Sequence, residues 1–343
     1  MKRRIDVILP NYNKIDYIDE CLSSLKRQAH TNWRCIVIDG YSDDGSWERI
    51  QEVAAGDNRF ELHQLDRIGL YKSWNVGLDH VESPYFAILT SDDTWDETWL
   101  ETAVDALHMH PTAVGAAART YYIDADSNVD DLAMLNRYGE DILGKGEQQR
   151  VWKGIDYAIA SFFMGSVVTS VHSLVMRSDI LDSMRFAVDA GPYADWGWCT
   201  ELGLHGKIVH CPKARAYWRR YEGQASDVDL DRRAEHGAQL NILFEQLHDQ
   251  ISERLSDPQR TEFERAAKKH LESFMPYLFQ RPSLPVVKNT PLRSFFRLMQ
   301  VAIRYPRIFA NEVFALLWGK PPYANEKRKS MAQRIITMPE GMA

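Results

Sequence analysis

The sequence predicts an α/β fold: a mostly parallel sheet with helices on both faces, followed by a C-terminal helical extension. Three features of the 343 residues lead to this prediction. Short apolar runs alternate with segments of helical periodicity in the first third of the chain, polar residues follow several of these runs, and strand-like alternation ends near residue 229. Strands that alternate with helices at this spacing are typical of parallel sheets.

Each predicted element follows from its own local pattern. The predicted strands are short apolar runs, at residues 5–12, 34–40, 59–65, 85–91 and 207–212. The predicted helices space their apolar residues for one face and lie at 16–28, 46–55, 69–81, 97–110 and 193–206. Residues 120–160 are polar and irregular, whereas 162–181 return to strand-like alternation.

The C-terminal region differs from the rest in periodicity and in charge. Its apolar spacing predicts long helices, so we divide the chain into an α/β domain at 1–228 and a helical region at 229–343. Residues 286–335 hold ten Lys or Arg and two Glu, a charge of +8; because the whole chain carries -7, the remainder carries -15. A basic amphipathic segment of this kind fits contact with an anionic membrane. A packed cap and a surface for self-association into a homo-oligomer are the alternatives.

Composition excludes several classes of protein. A net charge of -7 argues against general nucleic-acid binding. The apolar run at the N-terminus is shorter than a signal peptide requires, and no window approaches the length of a membrane span. The four cysteines lack metal-finger spacing. We therefore expect a cytoplasmic protein with reduced thiols, which could work at the inner face of the cytoplasmic membrane if the basic segment binds there.

Polar clusters follow three of the predicted strands. They lie at Asn11–Asn13, Asp39–Asp44 and Ser91–Asp93, and we call them together the strand-end rim. Ligands of open parallel sheets bind beyond the carboxyl ends of the strands, so these clusters should converge. Asp92 and Asp93 also suit a turn followed by a helix N-cap. Clustered carboxylates otherwise suit a hard divalent cation, Mn²⁺ or Mg²⁺, that holds phosphate oxygens.

Several segments resemble, in order and spacing, the motifs of family-2 inverting glycosyltransferases with the GT-A fold. The resemblance covers residues 4–226 and is carried by "VILPNYNKIDYIDECLSSL", "VIDGYSDDGS", "GLYKSWNVGL", "FAILTSDDTW", "YADWGWCTELGLHGKIVHCP" and "YWRRYEGQAS". The chain departs from the family's D-x-D motif at Thr90, from its nucleotide loop at Gly40 and Tyr41, and from its Glu-Asp pair at Ala194. These departures bear on metal affinity and on the choice of base.

The resemblance implies a donor site on the rim. Asp92 would be the metal ligand, with Asp93 a second ligand or an acceptor contact. Asp39 would read the base or ribose of the nucleotide. The other residues expected to bind the donor are Pro10, Tyr12, Asn13, Lys72, Asn75 and Ser91, with Arg219 and Arg220 on the phosphates. A solvated basic loop is the alternative for the two arginines, and a solvated helix face for Lys72.

The same resemblance implies an acceptor side. Asp195 would be the general base that takes the proton of the acceptor hydroxyl; its alternative is the N-cap of the following helix. Trp196 and Trp198 flank it and could stack on the acceptor sugar. His172 could also contact the acceptor, and a core histidine is its alternative.

The predicted function is therefore transfer of a sugar, with inversion, from a nucleoside-diphosphate donor to a saccharide or lipid-linked saccharide acceptor in cell-surface polysaccharide synthesis. UDP is the expected nucleotide. Two other functions remain open: a sugar-nucleotide-binding protein or scaffold, which Thr90 makes conceivable, and a nucleotidyltransferase. The residues after the first strand, "PNYNKIDY", lack the Gly- and Lys-rich loop typical of nucleotidyltransferases.

Overall fold

The computed structural model describes residues 3–130, 137–144, 146–165, 167–168, 170–221, 237–274, 299–317 and 323–338. Its strands are β1 (Ile5–Asn11), β2 (Trp33–Asp39), β3 (Phe60–Gln64), β4 (Tyr85–Ile88), β5 (Thr94–Trp95), β6 (Ala113–Ile123), β7 (Val129–Asp130), β8 (Arg150–Trp152), β9 (Leu174–Arg177) and β10 (Lys207–Arg219). Its helices are α1 (Ile15–Lys26), α2 (Ser46–Ala54), α3 (Leu70–Asp79), α4 (Trp99–Met109), α5 (Arg137–Leu143), α6 (Gly154–Met164), α7 (Ala194–His205), α8 (Gly237–Ser252), α9 (Asp257–Lys269), α10 (Pro306–Leu317) and α11 (Tyr323–Ile336).

The described strands form one sheet in the order β3-β2-β1-β4-β9-β6-β10-β5, with β7 on β6 and β8 on β10. The pairs β2–β3, β1–β2, β1–β4 and β6–β10 are parallel. β9 runs antiparallel between β4 and β6, which makes β6 and β10 point the same way as β1 to β4. The predicted fold class is confirmed: six strands share one direction and helices cover the sheet.

The register of the parallel strands places the rim. Asn11 pairs with Asp39, and Asp39 pairs with Gln64, so three polar residues end adjacent strands at the same level. Burial of every residue in β1 and β2 explains this precision, because a one-residue slip would turn the core face toward solvent.

The sequence did not predict the strand β6 or the helix α6, each of which has 11 residues. The strand β6 contains "AVGAAARTYYI", in which small residues replace the branched ones that favour strands. Its residues are nevertheless buried, and its partner β10 continues to Arg219, well past the predicted 207–212. The predicted strand character of 162–181 holds only for β9, since its first residues belong to α6.

The C-terminal helices pack onto α6 and α7. These elements share one apolar core. From α6 and α7 it contains Phe162, Phe163 and Trp196. From the C-terminal region it contains Leu240, Phe244, Leu247 and Ile251 of α8, Leu255 after α8, Phe263 of α9, and Met331, Ala332 and Ile335 of α11. The predicted helical extension is therefore confirmed. Among the described residues, no helix is both long enough and apolar enough to cross a membrane. The four cysteines are buried and free.

Candidate active site

Asp39 lies at the centre of the nucleotide side of the rim. Its buried carboxylate accepts hydrogen bonds from Asn11 Nδ2 at 2.8 Å, Ser42 Oγ at 2.6 Å, the Ser42 backbone N–H at 3.0 Å and Gln64 Nε2 at 3.1 Å. A carboxylate offers about four lone-pair positions, and these four donors fill them. Asp39 therefore fixes the ends of β1, β2 and β3 relative to each other.

An aromatic ring borders this pocket. The guanidinium of Arg67 lies 4.1 Å from the centroid of the Tyr12 ring and donates to its hydroxyl at 3.2 Å. Gly40 is also near this ring, since an added Cβ would come 3.3 Å from Tyr12 Cδ2. Asn13, at a φ of 51°, exchanges two hydrogen bonds with Asp43. The loops after β1 and β2 are thus joined around Tyr12.

Asp92 is paired with a lysine that the sequence analysis did not identify. Lys14 Nζ lies 3.3 Å from Asp92 Oδ2, and the hydroxyl of Tyr221 donates to the same oxygen at 2.8 Å. Lys14 also donates to the Tyr221 hydroxyl. The side chains of Lys14 and Asp92 keep 21% and 18% of their surface exposed, so this pair borders solvent. The positive charge beside the two aspartates is supplied by the protein itself.

Asp93 differs from its neighbour because it is buried. It accepts hydrogen bonds from the Thr90 hydroxyl and from the Arg219 backbone N–H at 2.9 Å, and His172 Nδ1 lies 3.5 Å away. Burial, together with the charge of Asp92, raises the pKa of Asp93 well above its usual range. Burial also lowers the pKa of His172 to about 3, so this imidazole is neutral. Asp93 is thereby unsuited to contact a ligand directly.

The residues around Asp92 fit a divalent cation only if a ligand supplies most of the coordination. Mn²⁺ and Mg²⁺ take about six ligands, mainly oxygens. Asp92 offers a partly exposed carboxylate here, while Thr90 has turned its hydroxyl to Asp93. Within the described residues, the aspartates of the rim do not belong to a group of three metal-ligating side chains. An ion on Asp92 would therefore take its other ligands from a diphosphate and water.

Asp195, the predicted base, lies on the first turn of α7. Its carboxylate accepts a hydrogen bond from the Trp196 backbone N–H at 2.7 Å and another from the side chain of Tyr71. Burial raises the pKa of Asp195 to about 6, and these hydrogen bonds oppose the shift only in part. Tyr71 belongs to α3 and stacks on Phe186, at 5.7 Å between ring centroids. A carboxylate with such a pKa is suited to accept a proton near neutral pH.

Arg219 requires a correction. Its guanidinium is buried and donates to the Asp92 carbonyl at 2.8 Å, to the Asp124 carbonyl at 2.8 Å, to Ser127 Oγ at 2.9 Å and to Glu20 Oε2 at 2.5 Å. The predicted forked contact with phosphates is wrong for this residue, since its donors hold the loops together. Arg220 is exposed and lies over the Tyr122 ring, 4.9 Å from its centroid, so its phosphate role stays a prediction.

Trp196 and Trp198 are also corrected, because both are core residues rather than sugar platforms. Trp196 donates to the Ser161 carbonyl at 2.6 Å and packs on Phe244 of α8. Trp198 stacks on Phe186, at 4.2 Å between centroids. The physical reason is that α7 is covered on two sides, by the sheet and by the C-terminal helices. His172 is 1% exposed and does not reach an acceptor directly.

The remaining predicted donor residues have mixed placements. Pro10 lies within buried β1 and Ser91 is buried beside the aspartates. Lys72 is exposed on α3. The amide of Asn75 exchanges hydrogen bonds with the backbone of Phe186, at 3.0 Å and 2.9 Å, so it ties α3 to the segment before Asp195 instead of facing a nucleotide.

Four residues that the sequence analysis did not single out belong to the site: Lys14, Arg67, Tyr71 and Tyr221. Lys14 stands next to the rim motif in "PNYNK", and Tyr71 is the tyrosine in "GLYKSW". Each of them contacts a predicted residue far away in the chain, and local patterns carry no signal for such pairs. Only the fold identifies them.

Comparison with known proteins supports the same assignment. Residues 6–168 match the model for glycosyl transferase family 2. An uncharacterized glycosyltransferase of Haemophilus influenzae is 25% identical over 65% of this chain and 68% of its own length. Glycosyltransferase GlyA of Streptococcus pneumoniae is 31% identical over 66% of this chain and 32% of its own. The putative teichuronic acid biosynthesis glycosyltransferase TuaG of Bacillus subtilis is 32% identical over 30% of this chain and 42% of its own length. The chain thus spans less than half the length of the last two.

Solved structures share the fold over nearly the whole chain. Staphylococcus aureus TarS 1–349 in complex with UDP-GlcNAc has a TM-score of 0.59 at 15% identity, covering 97% of this chain and 90% of that one. The mannosyltransferase PcManGT of Pyrobaculum calidifontis, in complex with GDP-Man and Mn²⁺, has a TM-score of 0.52 at 16% identity, covering 98% and 86%. With its rim, its sheet and its matched motifs, the chain is similar to the family-2 glycosyltransferases over residues 6–168 and has the GT-A fold.

Proposed function

We propose that this chain is an inverting glycosyltransferase of the hexosyltransferase type, which moves a sugar from a UDP-sugar to a hydroxyl of a saccharide or lipid-linked saccharide. The observation that carries the proposal is Asp195, whose pKa burial raises to about 6 on the acceptor side of a family-2 fold. A direct displacement needs a base for the acceptor hydroxyl, and this carboxylate has the required strength.

The donor would occupy the rim between Tyr12 and Asp92. The base of UDP would stack on the Tyr12 ring, to which Arg67 adds a positive charge. Because the four acceptor positions of Asp39 are filled, a base N–H would replace its longest partner, Gln64 at 3.1 Å. Asn13 supports this pocket through its bonds to Asp43. The solved relative TarS binds UDP-GlcNAc, which supports UDP as the nucleotide.

The diphosphate would lie beside Asp92 and Lys14. Asp92 would hold a divalent cation, Mn²⁺ or Mg²⁺, and this ion would neutralise negative charge on the leaving diphosphate. Lys14 would move from Asp92 to a phosphate oxygen when the donor arrives, since both partners are anions. The exposed Arg220 remains available for the same phosphates. PcManGT was solved with GDP-Man and Mn²⁺, which supports a metal in this fold.

The transfer step follows from these placements. The acceptor oxygen attacks the anomeric carbon of the donor from the face opposite the diphosphate, and its proton passes to Asp195. The new carbon–oxygen bond forms as the bond to the phosphate oxygen breaks, so the configuration inverts. Tyr71 positions the carboxylate, and Asn75 positions the segment at Phe186 that supports Tyr71.

Cell-surface polymer synthesis is the setting that the relatives support. They include TuaG, described as a teichuronic acid biosynthesis protein, and a teichoic acid poly(glycerol phosphate) polymerase of Staphylococcus epidermidis. An acceptor of this kind is a saccharide or a lipid-linked saccharide at the inner face of the cytoplasmic membrane.

The basic segment 286–335 is described at 299–317 and 323–335, and these two stretches fit different roles. In α11, Lys329 pairs with Asp141 at 3.0 Å and Arg328 donates to the Phe163 carbonyl at 3.1 Å, as expected of a packed cap. In the stretch before α11, the apolar residues Met299, Ile303 and Val313 are exposed. Arg304 and Arg307 are exposed in the same stretch. We propose that 299–313 provides a peripheral membrane contact, with self-association as the other use of this surface.

Transfer of a labelled sugar to a saccharide acceptor tests the function. A thermal-shift screen with UDP-, GDP- and dTDP-sugars, with and without Mn²⁺, first selects the donor. NMR of the product then gives the anomeric configuration, which should be opposite to that of the donor. Retention of configuration, or hydrolysis and transfer both absent with every donor that binds, would contradict the proposal.

A second function is favoured by one specific observation. Thr90 replaces an aspartate, and Lys14 already neutralises Asp92, which also suits a protein that binds sugar nucleotides without turning them over. Binding without transfer in the same assay would select this function.

A further inference from the structure

Glu61, His63 and His80 form a second cluster of metal-ligating side chains, and none of the three is among the proposed donor-binding residues. Glu61 and His63 are two residues apart on β3 and so face the same side of that strand. His80 caps the C-terminal end of α3. His63 Nε2 lies 2.7 Å from Glu61 Oε1, and His80 Nδ1 lies 3.4 Å from the same oxygen. The two imidazole rings are 4.1 Å apart between centroids.

The spacing of the ligand atoms suits a small cation. One nitrogen of each histidine and one oxygen of Glu61 lie within 4.8 Å of one another. Zinc binds histidine nitrogen and carboxylate oxygen at about 2.0–2.2 Å in a tetrahedral arrangement, which puts neighbouring ligand atoms about 3.4 Å apart. The distance from His80 Nδ1 to Glu61 Oε1 equals this value and that from His63 Nε2 is shorter, so small rotations of partly exposed side chains would complete the site.

The local charge also favours a cation. Arg34 Nη1 lies 3.1 Å from Glu61 Oε2 and 3.1 Å from Glu82 Oε2, and its Nη2 lies 2.7 Å from Asp6 Oδ2. Three carboxylates therefore surround one guanidinium, which leaves a net charge of -2 when both imidazoles are neutral. A divalent ion balances this charge.

Hydrogen bonds to the cluster hold its ligands in place. Arg34 binds Glu61 through Oε2, which leaves Oε1 directed at the two histidines. Arg34 Nη2 also donates to the backbone carbonyl of His80 at 2.8 Å, so one side chain fixes the carboxylate and the backbone of a histidine. Such outer partners are typical of metal sites.

We propose that Glu61, His63 and His80 bind a divalent transition-metal ion of the zinc class, with water as the fourth ligand. Two imidazoles and one carboxylate favour zinc over magnesium or calcium, which prefer oxygen ligands. The ion joins β3 to the end of α3 and so closes the segment 63–80 into a loop. That segment carries Arg67 and Tyr71, so the ion stabilises the part of the fold that contacts both Tyr12 and Asp195.

Zinc titration of the full chain without nucleotide tests the proposal. Calorimetry should show one zinc ion per chain, bound at least tenfold more tightly by the wild type than by the double variant His63→Gln/His80→Gln. Zinc should also raise the Tm of the wild type and leave that of the double variant unchanged, because binding to the folded state alone stabilises it.

Two matched variants separate this site from others. Asp92→Asn removes the proposed donor-site ligand and should bind zinc as the wild type does. His248→Gln removes a histidine that also contacts a carboxylate, Asp249 at 2.9 Å, and should likewise have no effect. Equal zinc affinity in the wild type and the double variant would overturn the proposal. If the double variant does not fold, the Co²⁺-loaded wild type decides: it should show the visible absorption of a four-coordinate site, and its absence would overturn the proposal.

Discussion

The proposed donor side and the proposed acceptor side of this molecule place the same type of side chain, an aspartate, in different surroundings. Asp92, on the donor side, is partly exposed and already paired with Lys14 at 3.3 Å and Tyr221 at 2.8 Å. Asp195, on the acceptor side, contacts a backbone N–H and the side chain of Tyr71, and burial raises its pKa to about 6. Burial opposes the ionisation of a carboxyl group, which is why the pKa of Asp195 lies above its ordinary value. The comparison indicates that the surroundings, and not the residue type, suit Asp92 to pair with a cation and Asp195 to accept a proton.

The largest expected effect is on the donor side. Asp92→Ala should abolish measurable transfer and remove the Mn²⁺ dependence of UDP binding, because the variant loses the carboxylate that would hold the ion. Calorimetry with UDP, with and without Mn²⁺, measures this linkage. Asp105→Ala, an exposed carboxylate on α4, is the control and should behave as wild type. Metal-linked binding that persists in Asp92→Ala would mean that this residue only terminates a turn.

Tyr71→Phe should lower the activity at acidic pH without altering the affinity for the donor. Loss of a hydrogen bond to the ionised carboxylate raises the pKa of Asp195 further, by about one unit for a hydrogen bond of about 1.5 kcal/mol. The acid limb of the pH–rate profile should therefore move to higher pH, while the Kd for UDP is unchanged. Tyr305→Phe, at a partly exposed tyrosine of the C-terminal helical region, serves as the control. An unmoved acid limb would remove Tyr71 from the site.

Lys14→Met should have opposite effects on two ligands. Without the lysine, Asp92 keeps the hydrogen bond from Tyr221 but loses its ion pair, and Mn²⁺ alone should bind about threefold to tenfold more tightly, as expected for an ion pair of about 1 kcal/mol. UDP without metal should bind more weakly, because a cation for the diphosphate is gone. EPR of Mn²⁺ and calorimetry of UDP measure the two, with Lys26→Met on the same helix as control. If both affinities stay at the wild-type value, Lys14 is a surface ion pair only.

The smallest effect is expected in the tail. Each Lys or Arg near an anionic surface contributes about 1 kcal/mol, and salt weakens this attraction. Flotation with anionic liposomes should therefore recover the protein at low salt and lose it at high salt. The variant Arg304→Gln/Arg307→Gln should float less at low salt. Flotation that is absent at both salt concentrations would leave the tail as a cap.

Local sequence patterns were sufficient to predict which residues lie at the strand ends, but not which side chains distant in the chain contact each other there. Asn11, Asp39 and Ser91 could be placed together from sequence, because parallel strands bring their carboxyl ends to one side. Lys14 and Asp92 are far apart in sequence, and their contact depends on how α1, which begins directly after Lys14, packs beside β5. Trp196 and Trp198 were misassigned for a related reason, since the C-terminal helices that cover α7 leave no mark in its own sequence. The strand β6 was missed because alanine carries little strand preference.

The pH dependence of kcat/KM for the wild type and Asp195→Asn tests the central claim most directly. Only the deprotonated carboxylate can accept the acceptor proton, so wild-type activity should rise as pH increases through about 6, where Asp195 titrates. Asp195→Asn should bind UDP normally and lose about 10²–10⁴-fold in turnover, the usual effect of removing a general base. A wild-type profile that is flat between pH 5 and pH 8, as tested on folded protein, would contradict the account, as would an Asp195→Asn variant within a few-fold of wild type.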